Sequence, residues 1–250
     1  MTFSLLVLGA LLPHVTLTAY VNVGIVNGTE AKPHSRPYMV SVQKNKKHIC
    51  GGFLVSEQFV MTAAHCFKGR KLTVVVGAHD PRQSSGRIAV KFYHIHPGYD
   101  SVNVLNDIMI LQLNGTTKKM KNVKPISIPN KERDIKAKSK CSVAGWGRQT
   151  TNGSSTDRLM EADVTVIDMK ACQKIWNEKS SRIVCALGPG GSCQGDSGGP
   201  LVCKDTAVGV VSFNEKNNCD KPTAPNVYTK ISSFLPWIKA ILEGVKQELD

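Results

Sequence analysis

A chain of 250 residues with 41% hydrophobic and 20% charged content is a globular sequence, long enough for one large or two small domains that each bury a core. Its formal charge of +13 survives any trimming of the N-terminus, because the first 29 residues contain no Lys, Arg, Asp or Glu. Such an excess suits polyanionic surroundings, or simply a soluble surface, and is silent about fold.

Met1 to Leu12 is an apolar run the length of a signal-peptide core, without a basic segment before it and too short to span a membrane. No second apolar stretch of spanning length follows, so a secreted or vesicular protein is expected, not a membrane-spanning one. Eight cysteines fit an oxidising compartment, and their pairing stays open at this level. Zinc is disfavoured, since no C-x-x-C or paired Cys/His spacing occurs. From Ile25 onward short β-branched runs alternate with turn signals: Tyr38–Val42, Cys50–Val55, Leu72–Val76, Ile88–Tyr93, Ile108–Leu113, Cys141–Gly145, Ala162–Ile167, Pro200–Cys203 and Val208–Phe213. With almost no helical periodicity, this predicts an all-β sandwich or barrel. A Lys/Pro-rich stretch from Lys124 to Lys140 reads as a crossover between two halves. The C-terminus is the exception to all-β. Phe234, Ile238, Ile241 and Val245 repeat at helical spacing, with Ser232 or Ser233 as the expected cap and Pro236 in the first turn.

The stretch Gly190 to Pro200 sets one serine, Ser197, among glycines in a loop too Gly-rich for helix or strand. Such a loop can expose a nucleophile and aim successive N–H groups at one point, which is what acyl transfer requires. A base and an orienting carboxylate are needed elsewhere. His65 follows the apolar run Val60–Ala64, and Asp107 opens the run Ile108–Leu111. The motifs T-A-A-H-C at 62–66, D-I-M-I-L at 107–111 and G-D-S-G-G-P at 195–200 resemble, in that order, the chymotrypsin-like serine endopeptidases. The resemblance covers Ile25 to about Lys246.

That resemblance implies two antiparallel Greek-key β-barrels with a C-terminal α-helix. Residues 1–24 would be signal and activation peptide, 25–130 the first barrel half, and 131–250 the second half with the helix. The site would lie in the cleft between the halves. Ser197 would be the nucleophile, His65 the base and then the acid, and Asp107 the group orienting the imidazole. The N–H groups of Gly195 and Ser197 would form the oxyanion hole. Substrate would be held by Gly191, Ser192, Gln194, Ser212, Phe213, Asn214 and Asn226, with Ser212–Asn214 pairing as a strand against its backbone. Ile25 would become the mature N-terminus and its ammonium would pair with Asp196. Here the residue before it is Gly24, where trypsin-activated zymogens have Arg or Lys. The alternatives are another processing enzyme that removes a short propeptide such as Tyr20–Gly24, and signal cleavage that itself ends at Gly24. The implied disulfides are Cys50–Cys66, Cys141–Cys203, Cys172–Cys185 and Cys193–Cys219.

Gly191 puts no carboxylate on the floor of the specificity pocket, so an Arg or Lys side chain would be buried unpaired there. Asn214 and Asn226 replace the usual glycines and make the pocket narrow and polar. A medium apolar or polar P1 residue is expected, not a basic one. Pro33–Met39 resembles the granzyme and mast-cell granule proteases, while the Cys193–Cys219 pair and the long Phe213–Cys219 loop resemble the granzyme A and K branch. Secretion or granule storage, protein or peptide substrates, serine protease inhibitors and a monomeric state are implied. No cofactor or metal is expected, and no calcium loop follows Val76–His79. Basic residues at Lys44, Lys46, Lys47, Lys68, Arg70, Lys71 and along Lys118–Lys140 point to sulfated proteoglycan or heparin. Nucleic acid is disfavoured because no aromatic residues interleave them. Asn114 and Asn152 head the sequons expected to carry glycan, with Asn27 a weaker third. The competing reading is a catalytically weak, basic glycan-binding or antimicrobial granule protein.

Overall fold

The structure, a computed structural model, describes residues 25–83 and 86–244. The predicted signal and activation segments, Gly24 and Val245 lie outside the described residues. A two-residue strand β1 (Thr29–Glu30) is followed by β2 (Met39–Lys44), β3 (Lys47–Leu54), β4 (Phe59–Thr62), β5 (Thr73–Val76), β6 (Arg87–Ile95) and β7 (Met109–Leu113). Strands β2 to β7 close into an antiparallel barrel in the order β2-β3-β4-β7-β6-β5. The second barrel is built from β8 (Lys140–Gly145), β9 (Met160–Val166), β10 (Ile183–Leu187), β11 (Pro200–Cys203), β12 (Thr206–Phe213) and β13 (Asn226–Lys230). Its ring β9-β10-β13-β12-β11-β8 closes through β8–β9 pairing. Strand β1 pairs with the start of β9, which β10 does not reach, through Thr29–Glu161 and Glu30–Met160. The expected all-β, two-barrel architecture is present.

Why these runs become barrel strands is visible in their burial. All five residues of β7 and all four of β4 are buried, so neither shows the alternation of a half-exposed strand. Ile110 and Leu111, consecutive and therefore on opposite faces of β7, both lie with Met61 in the buried core, so both faces of the strand are covered. Strands β4, β10 and β13 are absent from the sequence expectation, being short and continuously apolar or mixed. The four expected disulfides are all formed, and no described cysteine is free. Each contributes on the order of 2–4 kcal/mol by restricting the unfolded chain.

Two departures concern helices. An eight-residue helix α1 (Met169–Trp176) was not anticipated. Asp168 caps it by accepting from Ala171 N at 3.1 Å, Asn177 ends it in the left-handed region, and Cys172 ties it to β10. It is too short for periodicity to reveal. The C-terminal helix α2 (Leu235–Gly244) forms as expected, with Pro236 in its first turn. Neither serine caps it: a 3-10 turn over Ile231–Phe234 leads in, the Ser232 hydroxyl donates to Arg133 O at 3.0 Å, and Ser233 Oγ is buried without a partner among the described residues. Ile238 is fully buried in the cluster that holds the first barrel's core, and the partly buried Trp237, Ile241 and Leu242 pack against it. The helix therefore crosses from the second half to seal the first. No helix among the described residues is long and apolar enough to cross a membrane.

The β2–β3 hairpin turns on Asn45 and Lys46, both at positive φ (50° and 63°). This is the geometry in which a glycine is favoured at the second position, because a Cβ there crowds the following carbonyl. Lys46→Gly is expected to stabilise the protein by up to about 1 kcal/mol, read as a raised midpoint in chemical denaturation.

Candidate active site

His65 sits in a 3-10 turn (Ala64–Cys66) at the end of β4. The buried run Phe59–Met61 anchors the approach, and the Cys50–Cys66 bridge fixes the next residue to β3. Its Nδ1 faces Asp107 Oδ2 at 2.7 Å, and its backbone N donates to Asp107 Oδ1 at 2.9 Å. With an acceptor at Nδ1, the ring carries its proton there and leaves Nε2 with its lone pair. Asp107, just ahead of β7, has no exposed surface. Its Oδ2 also accepts from the Ser212 hydroxyl at 2.6 Å, and its backbone carbonyl accepts from Thr229 Oγ1 at 2.9 Å. Burial pushes its carboxyl pKa up, but the donors from His65 and Ser212 outweigh that and hold it below the ordinary carboxylate value.

The Ser197 loop is sewn to both barrels. Gly51 N donates to Ser197 O at 2.8 Å, and Gly198 N to Val211 O at 2.8 Å. Gly198, at φ 84°, has no room for a Cβ, which would run into the Thr62 hydroxyl and the Gly51 carbonyl. That close approach carries the half-exposed Ser197 against the segment Thr62–Cys66 that bears His65. Gly195 is at φ 101° and abuts Gly147. Around it, Asp196 N, Gly198 N and Gly199 N are all spent on backbone carbonyls. Among the described residues, no acceptor takes the N–H of Gly195 or Ser197.

Asp196 is wholly buried. It accepts from Gly147 N at 2.8 Å and Cys193 N at 2.9 Å. A Cβ at Gly145 or Gly147 would collide with its carboxylate. Ile25 is fully buried, and Val26 exchanges two backbone hydrogen bonds with Gly191 (3.0 and 3.1 Å). While Ile25 is joined to Gly24 its nitrogen is an uncharged amide, and burial pushes the Asp196 carboxyl up to about 7. His48 is satisfied at both ring nitrogens, beside the loop that bears Ser197. Its Nε2 donates to Gly195 O at 2.9 Å while Nδ1 accepts from Ser41 Oγ at 2.8 Å. Burial holds its pKa below the usual value, so it stays neutral.

Beside the loop, Gly191, Ser192, Asn214 and Asn226 come together. The Asn226 amide is buried and fills the space where a Cβ of Gly191 would stand. Asn214 Nδ2 donates to Ser192 O at 2.8 Å, which pins it across the pocket. Tyr228, fully buried, brings its hydroxyl beside Ser192 and Asn226, and burial raises its pKa. Phe213 packs edge-on against Trp176 at 5.1 Å, whose Nε1 donates to Pro225 O. Gln194 is exposed at the rim. Tyr228, Trp176, Thr229 and His48 were not singled out as site residues from sequence. They act by lining or bracing, a role no short motif encodes. Cys50, His65 and Cys66 crowd together as three potential metal ligands, but the two sulfurs are bonded to each other. Asn27, Asn114 and Asn152 are all exposed.

Two β-barrels meeting at a seam, with a paired His and Asp on one side and a Gly-bounded serine on the other, define the chymotrypsin-like class of serine proteases. The chain belongs to the trypsin family, whose model matches residues 25–238, and it is a serine endopeptidase. It is 42% identical to Duodenase-1 of Bos taurus over 90% of this chain and 91% of that protein. It is 40% identical to Granzyme B of Rattus norvegicus (88% and 91% covered) and 42% identical to Mast cell protease 3 of Ovis aries (90% and 91% covered). Among solved structures it resembles neuropsin, a serine protease of mouse brain. There the TM-score is 0.81 at 34% identity, covering 87% of this chain and all of that one.

The raised Asp196 carboxyl has a consequence for the chain with Gly24 still attached. The folded pKa lies above the unfolded one, so the folded state holds the extra proton. That stability is fully present below about 4 and is lost as pH rises through about 7. Uncleaved Ser197→Ala protein is therefore expected to lose denaturant resistance between those pH values more steeply than the Ser197→Ala/Asp196→Asn double variant, as read from unfolding midpoints.

Proposed function

We propose that this protein hydrolyses peptide bonds through an acyl-enzyme formed on Ser197. The single observation that carries the reading is the His65 ring hydrogen-bonded to the buried Asp107, together with a half-exposed serine whose own N–H and that of Gly195 are unspent. In this mechanism His65 Nε2 takes the Ser197 proton as Oγ attacks the substrate carbonyl. Asp107 holds the Nδ1–H tautomer and stabilises the imidazolium that results. The N–H groups of Gly195 and Ser197 receive the developing oxyanion, and His65 returns the proton to the leaving amine. Water then repeats the sequence on the ester.

Substrate backbone pairs with Ser212–Asn214, and its P1 side chain enters the pocket of Gly191, Ser192, Asn214 and Asn226. These four residues offer amides and a hydroxyl but no carboxylate; Asp220, which lines the adjoining recess, is engaged by Thr151 N, and the Asn226 amide shortens the pocket. A medium apolar or polar P1 residue is accommodated, whereas Arg or Lys would be desolvated without a counter-charge. Activation is release of the Ile25 ammonium, which pairs with Asp196 and sets the loop that bears the oxyanion donors. The protein works after secretion or from a granule, as a monomer, with protein substrates, serine protease inhibitors and, through its +13 charge, sulfated glycans as partners. A second reading, a weakly catalytic basic glycan-binding protein, draws on one observation: the partly filled pocket at Asn226.

Protein beginning at Ile25 is expected to cleave a positional-scanning peptide library, and Ser197→Ala to lose at least about 10⁴-fold in kcat. A best Arg-P1 substrate matching the best apolar one would overturn the specificity. No cleavage by folded wild type would favour the second reading. Asn226→Gly is expected to open the floor and shift P1 preference toward large aromatics, seen as a changed ratio of kcat/KM for Phe over Val substrates.

A further inference from the structure

The stretch joining the barrels, between β7 and β8, roofs a second cavity that the peptidase chemistry does not use. Its volume is about 610 Å³, the size of a small-molecule site. One wall is the linker, with Arg133, Asp134 and Lys136. The other is the β11–β12 hairpin, with Lys204 and Thr206, and the floor is apolar, from Ile128, Ile135 and Val208. None of the residues assigned above to catalysis or substrate binding lines it.

The charges in this cavity are unbalanced in a particular way. Arg133, Lys136 and Lys204 are exposed and make no ion pair among the described residues. Asp134 is the only carboxylate among the lining residues, and it is already taken: Lys230 Nζ, with a side chain 4% exposed, holds Asp134 Oδ1 at 2.6 Å. The acid that would repel an incoming anion is thereby neutralised by a buried cation beneath it. Three cations are left facing the opening, over an apolar floor and beside the hydroxyls and amide of Ser127, Thr206 and Asn130.

We infer that this cavity binds a sulfated sugar unit of a glycan chain. The sulfates meet Arg133, Lys136 and Lys204 as charge-assisted hydrogen bonds, the ring face lies on Ile128, Ile135 and Val208, and ring hydroxyls meet the neutral polar groups. The chain continues along the linker over Lys138 and Lys140, both exposed. The cavity has no aromatic wall on which a nucleobase could stack. A bilayer presents a flat face and would not fill a recess. The assignment deepens the sulfated-glycan reading above by giving it a place, and is independent of the catalytic one.

The test is calorimetric titration of the full secreted protein with a sulfated heparin tetrasaccharide, with its fully desulfated counterpart and with an oligonucleotide of equal charge. Two triple variants are compared, each losing three charges: Arg133→Gln/Lys136→Gln/Lys204→Gln, and Lys118→Gln/Lys119→Gln/Lys121→Gln. Wild type is expected to bind the sulfated tetrasaccharide and not the desulfated one. The cavity variant should weaken at least tenfold and the control variant no more than about threefold, with peptidase activity unchanged in both. Equal weakening by the two variants would overturn the site while leaving the glycan reading standing. Wild type failing to bind any sulfated saccharide would overturn both. Binding of the oligonucleotide as tightly as the tetrasaccharide would show undirected charge attraction and overturn the sugar assignment.

Discussion

A carboxylate with no exposed surface survives in the ionised form only if donors replace the water it has lost. Asp107 receives them from both halves of the molecule: the His65 ring and backbone come from the first barrel, the Ser212 hydroxyl from the second. Thr229, also from the second barrel, holds its main chain. The histidine is thus aligned by a group whose own setting exists only when the barrels are docked. Such networks are worth more than their separate bonds, and losing one member leaves the rest unsatisfied at high cost.

The second buried carboxylate obeys the opposite logic. Asp196 has two backbone donors and, among the described residues, no cation while Ile25 remains an amide, so burial pushes its carboxyl up to about 7. Its backbone sits between Gly195 and Ser197, whose N–H groups the proposed chemistry needs. A charge delivered at the chain end would reach the reacting centre through one peptide unit on either side. The glycines at 145 and 147 leave the space in which that can happen, since a Cβ at either would displace the carboxylate.

What the sequence makes legible follows from how information is stored. His65, Asp107 and Ser197 stand in contiguous motifs because each needs local backbone geometry, and eight cysteines with no leftover are countable. Strands β4 and β10 are not legible, because each is a run of only four or five residues with little alternation, whereas the equally buried β7 lies in the longer run Ile108–Leu113. Helix α1 escapes because two turns are too few for a period, although Asp168 and Asn177 bracket it with ordinary cap chemistry. The serine cap expected for α2 failed for a tertiary reason: Ser232 is claimed by the Arg133 carbonyl of the linker. Tyr228, beside Ser192 and Asn226, and Trp176, against Phe213, are distant in sequence from the Ser197 motif and escape a motif-based reading.

The two ends of the described chain are exchanged between the halves. Strand β1, from the start, completes the edge of β9 in the second barrel, and helix α2, from the finish, seals the core of the first. A ribosome emitting this chain would therefore have synthesised every strand of the first barrel long before the helix that closes it emerged. Until then the apolar surface awaiting Ile238 stays open to water and to other chains. Closure of that core therefore waits on the last segment to be synthesised.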